Sequence, residues 1–445
     1  MGAAVDLDQP APALACFTTL AMSEPPFAIA PTVRATPPAW RRLGAGVITG
    51  AADDDPSGIA TYSQVGAQFG YSMLWTTVAT VPLMIAIQTI CAHVARVTGV
   101  GLATNLAAIL PRALVFGLVG LLVVNNVVNL AADIGAMGDA VALLAGGHAR
   151  YFALLCASVS LVLEIFIPFR HYAPILKVLT LSLFAYVLTA CVVGIPWMEI
   201  VRHWMPEHVD HAMLVAVVAV FGTSVSPYLF FWQAAEEVEE ERADPNALPL
   251  LIAPERASAE FRRIGIDTDL GMTYSNVVAF FIILTAAVVL HGAGVTSVDT
   301  SADAARALQP LAGRFASVLF TLGIVGTGML AVPVLAGSAA YALTEVLGKE
   351  GGLERPLSQA RTFYGVLAAA TVLGTLLTFL PISPLRLLFW SAVINGVIAV
   401  PLMAGIMWVA CSRRLMGQFA LTGWLRGMGW SATAIMGLVA LGMLW

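Results

Sequence analysis

The hydrophobic residues of this chain fall into eleven long runs separated by short polar connections. The runs cover about residues 42 to 66, 71 to 97, 113 to 144, 150 to 169, 172 to 194, 211 to 235, 273 to 291, 313 to 346, 362 to 381, 385 to 410 and 427 to 445. An α-helix needs about 20 apolar residues to cross the hydrocarbon core of a bilayer. The pattern therefore predicts an all-α polytopic membrane protein with eleven transmembrane helices, and it excludes a transmembrane barrel.

Two of the runs are interrupted by polar residues in mid-span. The first contains three consecutive aspartates, Asp53, Asp54 and Asp55, followed directly by Pro56, and the sixth contains a cluster of hydroxyl residues that ends at Pro227. Proline lacks an N–H and clashes with the preceding turn, so each run is predicted to form a broken helix with free backbone carbonyls. Because a carboxylate inside a membrane is costly, the first break is a candidate cation site.

Breaks at matching places in the first and sixth runs predict an inverted five-plus-five repeat. Repeat one is expected at about residues 42–194, repeat two at about 211–410 and an extra helix at about 427–445, all within a transmembrane domain of residues 39–445. Residues 1–38 are rich in proline and lack the long apolar core of a signal peptide. They are predicted to form a disordered cytoplasmic tail.

Composition and charge add a location and an orientation. Of the 445 residues, 59% are hydrophobic and 11% are charged, which excludes an ordinary soluble enzyme and makes the lipid bilayer the surrounding medium. Seventeen of the 22 lysines and arginines lie on the side of the amino terminus. By the positive-inside rule, the amino terminus is predicted to be cytoplasmic and the carboxyl terminus outside, in a bacterial-type inner membrane.

Several classes of chemistry lack a signal in the sequence. The five cysteines form no C-x-x-C pair, and the chain has no Walker-type loop, nucleophile elbow or dinucleotide-binding fingerprint. We therefore expect no enzyme activity, no cofactor, no nucleic-acid partner and no obligatory protein partner. A transporter that uses existing gradients is the class that remains.

The residues from Asp55 to Trp75 resemble the first-helix block of the Nramp family of divalent metal transporters, whose motif begins Asp-Pro-Gly-Asn. The family's second motif, with a Met-Pro-His core, corresponds more loosely to Ser226-Pro227-Tyr228. The resemblance covers about residues 40 to 445. It implies a LeuT-type 5+5 inverted repeat with broken helices 1 and 6 and an eleventh transmembrane helix.

The resemblance also implies a metal site. The family's metal-binding aspartate falls on Asp55 and its asparagine falls on Gly58. In the sixth helix, the coordinating carbonyl falls on Thr223, the thioether methionine on Ser226 and the motif histidine on Tyr228. A thioether favours transition metals, so its replacement by a hydroxyl predicts a site of oxygen donors that favours Mg²⁺, with Mn²⁺ as the alternative.

Other polar residues are candidates for the pathway around this site. The family's second histidine of the sixth helix falls on Gln233, and its acidic pair in the third helix falls near Asn129 and Ala132, beside Asp133. Loss of groups that titrate near neutral pH predicts transport without obligatory proton coupling. Asp133 is either part of a cation pathway or a partner in hydrogen bonds between helices.

The remaining candidates are the other two aspartates of the first break, an asparagine and a run of glutamates. Successive residues of a helix point about 100° apart, so the three aspartates cannot all face one ion. Asp54 is expected to contact the ion at most through water, and Asp53 to be a helix-terminus or vestibule charge.

Asn276 is either a pathway residue or a packing contact. Five glutamates follow the sixth run and form either a solvated face or a cation funnel: Glu236, Glu237, Glu239, Glu240 and Glu241.

Together these patterns predict a secondary transporter that imports divalent cations by alternating access. Three alternatives stay open. They are a proton-coupled importer of Mn²⁺ or Fe²⁺, an organic-solute transporter of the same fold, and a sensor that keeps the fold without transport.

Overall fold

The helices of the computed structural model follow the predicted runs. The structure describes residues 44–206 and 209–443, so the predicted tail of residues 1–38 lies outside the described part. The principal helices are α1 (Ala45–Asp53), α2 (Pro56–Phe69), α3 (Leu74–Thr98), α4 (Arg112–Ala145), α5 (Ala149–Phe166), α6 (Phe169–Thr180), α7 (Phe184–Val193), α8 (His211–Ser224), α9 (Pro227–Ala243), α10 (Ala257–Val289), α11 (Ala316–Val346), α12 (Arg361–Leu377), α13 (Pro384–Cys411) and α14 (Gly423–Gly442).

Every predicted run contains at least one of these helices. The first, fifth and sixth runs are each divided into two: α1 and α2, α6 and α7, α8 and α9. Short helices lie in the connections at Leu102–Ala107, Trp197–Arg202, Ser301–Arg306, Gln309–Ala312 and Arg413–Met416. Helix α10 begins at Ala257, well before the predicted start near residue 273, because its charged first turns extend the helix beyond the apolar run.

Seven helices in the described part of the chain are long and apolar enough to cross a membrane. They are Pro56–Thr98, Arg112–Ala145, Ala149–Phe166, His211–Ala243, Pro254–Ala293, Gln309–Val346 and Pro384–Cys411. Val178–Val193 and Arg361–Leu377 are shorter apolar helices. The sixth run is the most enclosed of the seven, with 89% of its apolar window buried against 28% for α5. The broken helix α8–α9 therefore lies at the centre of the bundle and α5 at its edge.

Side-chain contacts show that the second span runs opposite to the first and the seventh opposite to the sixth. Arg96 at the end of α3 forms ion pairs with Glu241 near the end of α9 and with Glu260 in the first turn of α10. At the other end of the bundle, the His291 ring lies 2.9 Å from the carbonyl oxygen of Ala67 at the end of α2. We call the first of these ends, where α1 begins, the basic end, and the other the opposite end.

Glycines let the broken helices approach their neighbours closely. A Cβ at Gly50 of α1 would overlap the backbone of Gly271 in α10, and a Cβ at Gly222 of α8 would overlap the backbone of Ala392 and Gly396 in α13. Small residues at such crossings allow backbones to pack directly against each other within a membrane bundle. Each broken helix is thus held against a continuous one.

Candidate functional site

The first break lies between α1 and α2 and holds the three aspartates. Helix α1 ends at Asp53, and Asp55 caps the start of α2 by accepting a hydrogen bond from the Gly58 N–H at 2.7 Å. Pro56 occupies the first position of α2, where its missing N–H costs no hydrogen bond. All three carboxylates are buried, with Asp55 only 2% exposed.

The second break lies between α8 and α9. Helix α8 ends at Ser224 and α9 begins at Pro227. The Ser226 hydroxyl donates to the carbonyl oxygens of Gly222 at 2.9 Å and Thr223 at 2.8 Å. The carbonyl of Thr223 therefore lies at the break, as the resemblance implied. It already accepts one hydrogen bond and retains a second lone pair.

The two breaks meet through tyrosine hydroxyls. The Tyr228 hydroxyl donates to Asp55 Oδ2 at 3.1 Å and lies 3.5 Å from the carbonyl oxygen of Ala52. About two turns further into α2, the Tyr62 hydroxyl lies 3.0 Å from the Ser224 hydroxyl. Asp55 and Tyr228, which lie far apart in sequence, are thus brought into direct contact at the junction of the two broken helices.

Asp53 and Asp54 face a residue that the sequence did not indicate. The Ser275 hydroxyl of α10 is hydrogen-bonded to Asp53 Oδ2 and lies 3.2 Å from Asp54 Oδ1. One hydroxyl has a single proton to donate, so both carboxylates share it. Asp53 Oδ1 and Asp54 Oδ2 have no hydrogen-bond partner among the described residues. Buried oxygens of this kind attract a cation, because desolvation without a partner is unfavourable.

Asp133 and Asn129 of α4 border the same region. Asp133 is fully buried and close enough to Asp55 and Tyr228 for their charges to interact. Both amide atoms of Asn129 lack a hydrogen-bond partner in the described part of the chain, whereas the Ser57 backbone N–H of α2 lies beside the Asp133 carboxylate. Both interpretations of Asp133, a cation pathway and a contact between helices, therefore stay open.

Gly58 brings the α2 backbone close to the aspartates. A Cβ added there would lie 3.3 Å from the carbonyl oxygen of Asp53, 3.3 Å from the Tyr62 ring and 3.7 Å from Asp55 Oδ1. The first two separations are tighter than ordinary van der Waals contact, so a side chain at this position would crowd the oxygens around Asp55. The glycine itself contributes no side-chain oxygen to this group.

Gln233 and Asn276 lie further from the junction and are engaged elsewhere. The Gln233 amide nitrogen donates to the Thr268 hydroxyl at 2.8 Å. Asn276 accepts a hydrogen bond from the Thr80 hydroxyl at 2.8 Å and donates to the carbonyl oxygen of Met272 at 3.1 Å. Asn276 therefore ties α10 to α3, which favours the packing interpretation over a pathway role.

The acidic run at the end of α9 is largely ion-paired. Glu237 is buried against Arg263, and the buried Glu241 is paired with Arg96. Arg263 also lies 3.1 Å from Glu260. The prediction of a solvated face is wrong for the two buried glutamates, because α10 and α3 pack against this part of α9 and supply Arg263 and Arg96.

In the part of the chain that the structure describes, three carboxylates do not converge on one metal position. In residues 44–206 and 209–443, no group of three or more His, Cys, Asp or Glu side chains is arranged to hold a metal ion. A cation at the junction would therefore meet the Asp55 carboxylate together with neutral oxygens of carbonyls and hydroxyls.

Asp267, a second residue that the sequence did not indicate, holds the start of α1. Its carboxylate accepts hydrogen bonds from the N–H groups of Gly44 at 3.2 Å, Gly46 at 2.7 Å and Val47 at 3.3 Å. An aspartate at a helix N-terminus satisfies free donors and complements the helix dipole. The local sequence does not reveal this cap, because the capping residue lies on α10, more than 200 residues after the start of α1.

Comparison with known families and relatives gives a single result. A family model described as "natural resistance-associated macrophage protein-like" (Nramp) matches residues 46–445. A divalent metal cation transporter MntH from Acidiphilium cryptum is 24% identical over 400 residues, which are 86% of each chain. A protein of the same name from Klebsiella pneumoniae subsp. pneumoniae is 25% identical over 395 residues, covering 86% of this chain and 88% of its own.

Solved structures share the fold. A manganese transporter from Eremococcus coleocola, in complex with an aromatic bis-isothiourea substituted compound, gives a TM-score of 0.67 at 18% identity, over 94% of this chain and 88% of that chain. Mhp1, a nucleobase-cation-symport-1 family transporter in a closed conformation, gives a TM-score of 0.54 at 14% identity. The match covers 90% of this chain and 92% of the Mhp1 chain. The predicted fold class is thereby confirmed.

Proposed function

Because the chain belongs to the Nramp family, we propose that it carries divalent metal cations across a membrane by alternating access. The observation that carries the proposal is the contact between Asp55 at the first break and the Tyr228 hydroxyl from the second. A charged group and free backbone oxygens at the junction of two broken helices match the binding site of this transporter class. The cation is the cargo, and the proposal invokes no resident cofactor.

The donors at the junction are all oxygens. Asp55 supplies the negative charge, Thr223 a carbonyl, and Tyr228 and Ser226 neutral hydroxyls, with Asp54 in reach through water. Asp55 accepts hydrogen bonds only from neutral groups, the Gly58 N–H and the Tyr228 hydroxyl, so its charge remains available to a cation.

We propose Mg²⁺ as the preferred cargo. Mg²⁺ binds through one or two carboxylates and keeps several waters, and Asp55 with its neutral hydrogen-bonding neighbours offers a donor set of that kind. Mn²⁺ is the second candidate, because the chain is similar to proteins named MntH and to a manganese transporter. Mn²⁺ accepts oxygen ligands as well, so flux measurements must decide between the two.

The direction of transport follows from the charge distribution. With the basic end in the cytoplasm, as the positive-inside rule predicts, an inside-negative potential drives cations inward. The driving force is about 2.3 kcal/mol per charge at 100 mV, or about 4.6 kcal/mol for a doubly charged ion.

The experiment is cation flux into proteoliposomes loaded with a dye that responds to Mg²⁺ or Mn²⁺. We expect Mg²⁺ entry in the wild type, its loss in Asp55→Asn, and weaker apparent affinity in Tyr228→Phe. Asp210→Asn is the matched control, because Asp210 also caps a helix, accepting from the Met213 N–H at 2.8 Å, but is exposed at the opposite end.

Each outcome separates the alternatives. Mn²⁺ entry without Mg²⁺ entry would contradict the proposed preference and keep the transporter. No flux of either ion in a folded wild-type protein would contradict the proposed function and favour the organic-solute or sensor alternatives.

A further inference from the structure

A cavity of about 320 Å³ opens at the opposite end of the bundle, between α2 and α13. Its lining includes residues of α2, of the connection after α10, and of α13: Ala60, Gln64, Gln68, Asp299, Arg386 and Phe389. Asp299 and Arg386 are the two charged residues among the described residues that line it.

The floor of this cavity lies close to the candidate cation site. Ala60 lines the cavity and follows Pro56 by one helical turn, about 6 Å along the axis. Below it, the Ser57 hydroxyl donates to the carbonyl oxygen of Leu388 at 3.3 Å and joins α2 to α13. Along α2, one helical turn therefore separates this lining residue from the first break.

The two charges of the cavity neutralise each other. Arg386 Nε lies 2.9 Å from Asp299 Oδ1, and the Ser383 hydroxyl donates to the Asp299 carbonyl oxygen at 3.0 Å. The side chains are well exposed, 69% for Arg386 and 44% for Asp299. Exposed ion pairs are weak, so a divalent cation can compete with the guanidinium for this carboxylate.

The other polar groups of the cavity are fixed and neutral. Gln64 Oε1 accepts from the Val298 N–H at 2.7 Å, and the Gln64 amide nitrogen donates to Gln68 Oε1 at 3.0 Å. These contacts hold the connection that carries Asp299 against α2. A divalent cation with six waters occupies about 180 Å³, from about 30 Å³ per water, so the cavity accommodates a hydrated ion.

We propose that this cavity is the loading chamber for a hydrated divalent cation, and that Asp299 and Arg386 form its charge gate. Asp299 is the carboxylate of the described residues that lines this cavity, and Arg386 holds that carboxylate until the ion displaces it. The inference rests on the proposed function, because the chamber leads to Asp55.

The two partners of the gate should change uptake in opposite directions. Arg386→Gln leaves Asp299 unpaired and raises the local cation concentration, so KM falls. Asp299→Asn leaves an unpaired guanidinium that repels the ion, so KM rises. We expect KM to change by roughly threefold to tenfold in each variant. The kcat should stay nearly unchanged, because Asp55 is untouched. The double variant should lie near the wild type.

The test is initial-rate uptake of Mg²⁺, and separately of Mn²⁺, by intact cells that express each variant, with surface expression measured in parallel. Asp303→Asn and Arg306→Gln are the matched controls, since this Asp–Arg pair, 3.4 Å apart, lies on the same connection but does not line the cavity. High ionic strength should shrink the gate effects, because salt screens exposed charges.

The outcomes distinguish this inference from the function on which it rests. Wild-type uptake with both gate variants equal to the controls, or shifted in the same direction, would overturn the charge gate and leave the transporter intact. Loss of uptake in the wild type itself would overturn both.

Discussion

At the scale of single residues, the surroundings of each carboxylate decide its use. Glu237 and Glu241 are paired with arginines, and Asp267 is occupied by three backbone N–H groups. Asp55, by contrast, receives only neutral donors. Asp133 lies beside the neutral Ser57 N–H. A cation gains most where a carboxylate's charge is uncompensated, and this separates the buried aspartates around the first break from Glu237, Glu241 and Asp267.

Ser226 provides the sharpest residue-scale test of selectivity. Ser226→Met would restore a thioether at the second break and remove the hydrogen bonds to the Gly222 and Thr223 carbonyls. Since soft sulfur favours Mn²⁺ and Cd²⁺, we expect these ions to inhibit Mg²⁺ uptake about tenfold more strongly than in the wild type.

The control for this change is Ser158→Met, because the Ser158 hydroxyl also bonds to a carbonyl one turn back, that of Leu154 at 2.7 Å, but faces outward on α5. Competition assays in proteoliposomes measure both variants. An unchanged order of inhibition in Ser226→Met would contradict the role given to this position.

At the scale of elements, one face of α10 positions the whole of α1. Asp267 caps the start of α1, Gly271 packs against Gly50, and Ser275 contacts Asp53 at its end. These three residues are spaced by four, so they lie on one stripe of α10. The first half of the broken helix is therefore placed by the seventh span, and the site depends on that contact.

Gly271→Ala tests this element contact. The added Cβ would overlap the backbone of Gly46 and Val47, and forced packing of this kind costs about 1–3 kcal/mol. We expect a lower melting temperature in detergent and reduced uptake. Gly265→Ala is the matched control on the same helix, because a Cβ there meets nothing within 4 Å and alanine favours the helix. Equal melting temperatures for the two variants would count against the role of this stripe.

At the scale of the whole molecule, the two ends are built differently. The basic end carries the ion pairs of Arg96 and Arg263, the Asp267 cap and a cavity of about 400 Å³ lined by Glu239, Arg242 and Glu345. The opposite end holds the cavity that reaches to within one turn of the first break. The proposed alternating access requires the region around Asp55 to open toward each of the two ends in turn.

The whole-molecule prediction concerns the driving force. Movement of a doubly charged ion without a counter-ion makes transport electrogenic, so an imposed inside-negative potential should raise Mg²⁺ uptake steeply. A pH gradient alone should have little effect if Tyr228 and Gln233 correspond to the family's histidines, as the resemblance implies. Valinomycin-clamped proteoliposomes with an internal pH dye measure both quantities. Acidification in step with metal entry would refute uncoupled transport and implicate Asp133.

The sequence by itself determined the elements of this protein. Eleven apolar runs and two proline breaks predicted the spans and the broken helices, because hydrophobic length and a missing backbone N–H act locally along the chain. The motif around Asp55 indicated the family, and the match over residues 46–445 confirms it. The prediction of a transporter rather than an enzyme is confirmed by the same match. The repeat boundaries, the orientation and the Mg²⁺ preference stay predictions.

Only the tertiary structure decided which polar groups meet. Ser275 beside Asp53, Asp267 on α1 and Glu237 on Arg263 each join residues of different helices. A helix turns by about 100° per residue, so the choice between adjacent Ser275 and Asn276 depends on how α10 is rotated against its neighbours. That rotation is fixed by packing between distant segments, such as the Gly50–Gly271 contact, and a local pattern carries no record of it.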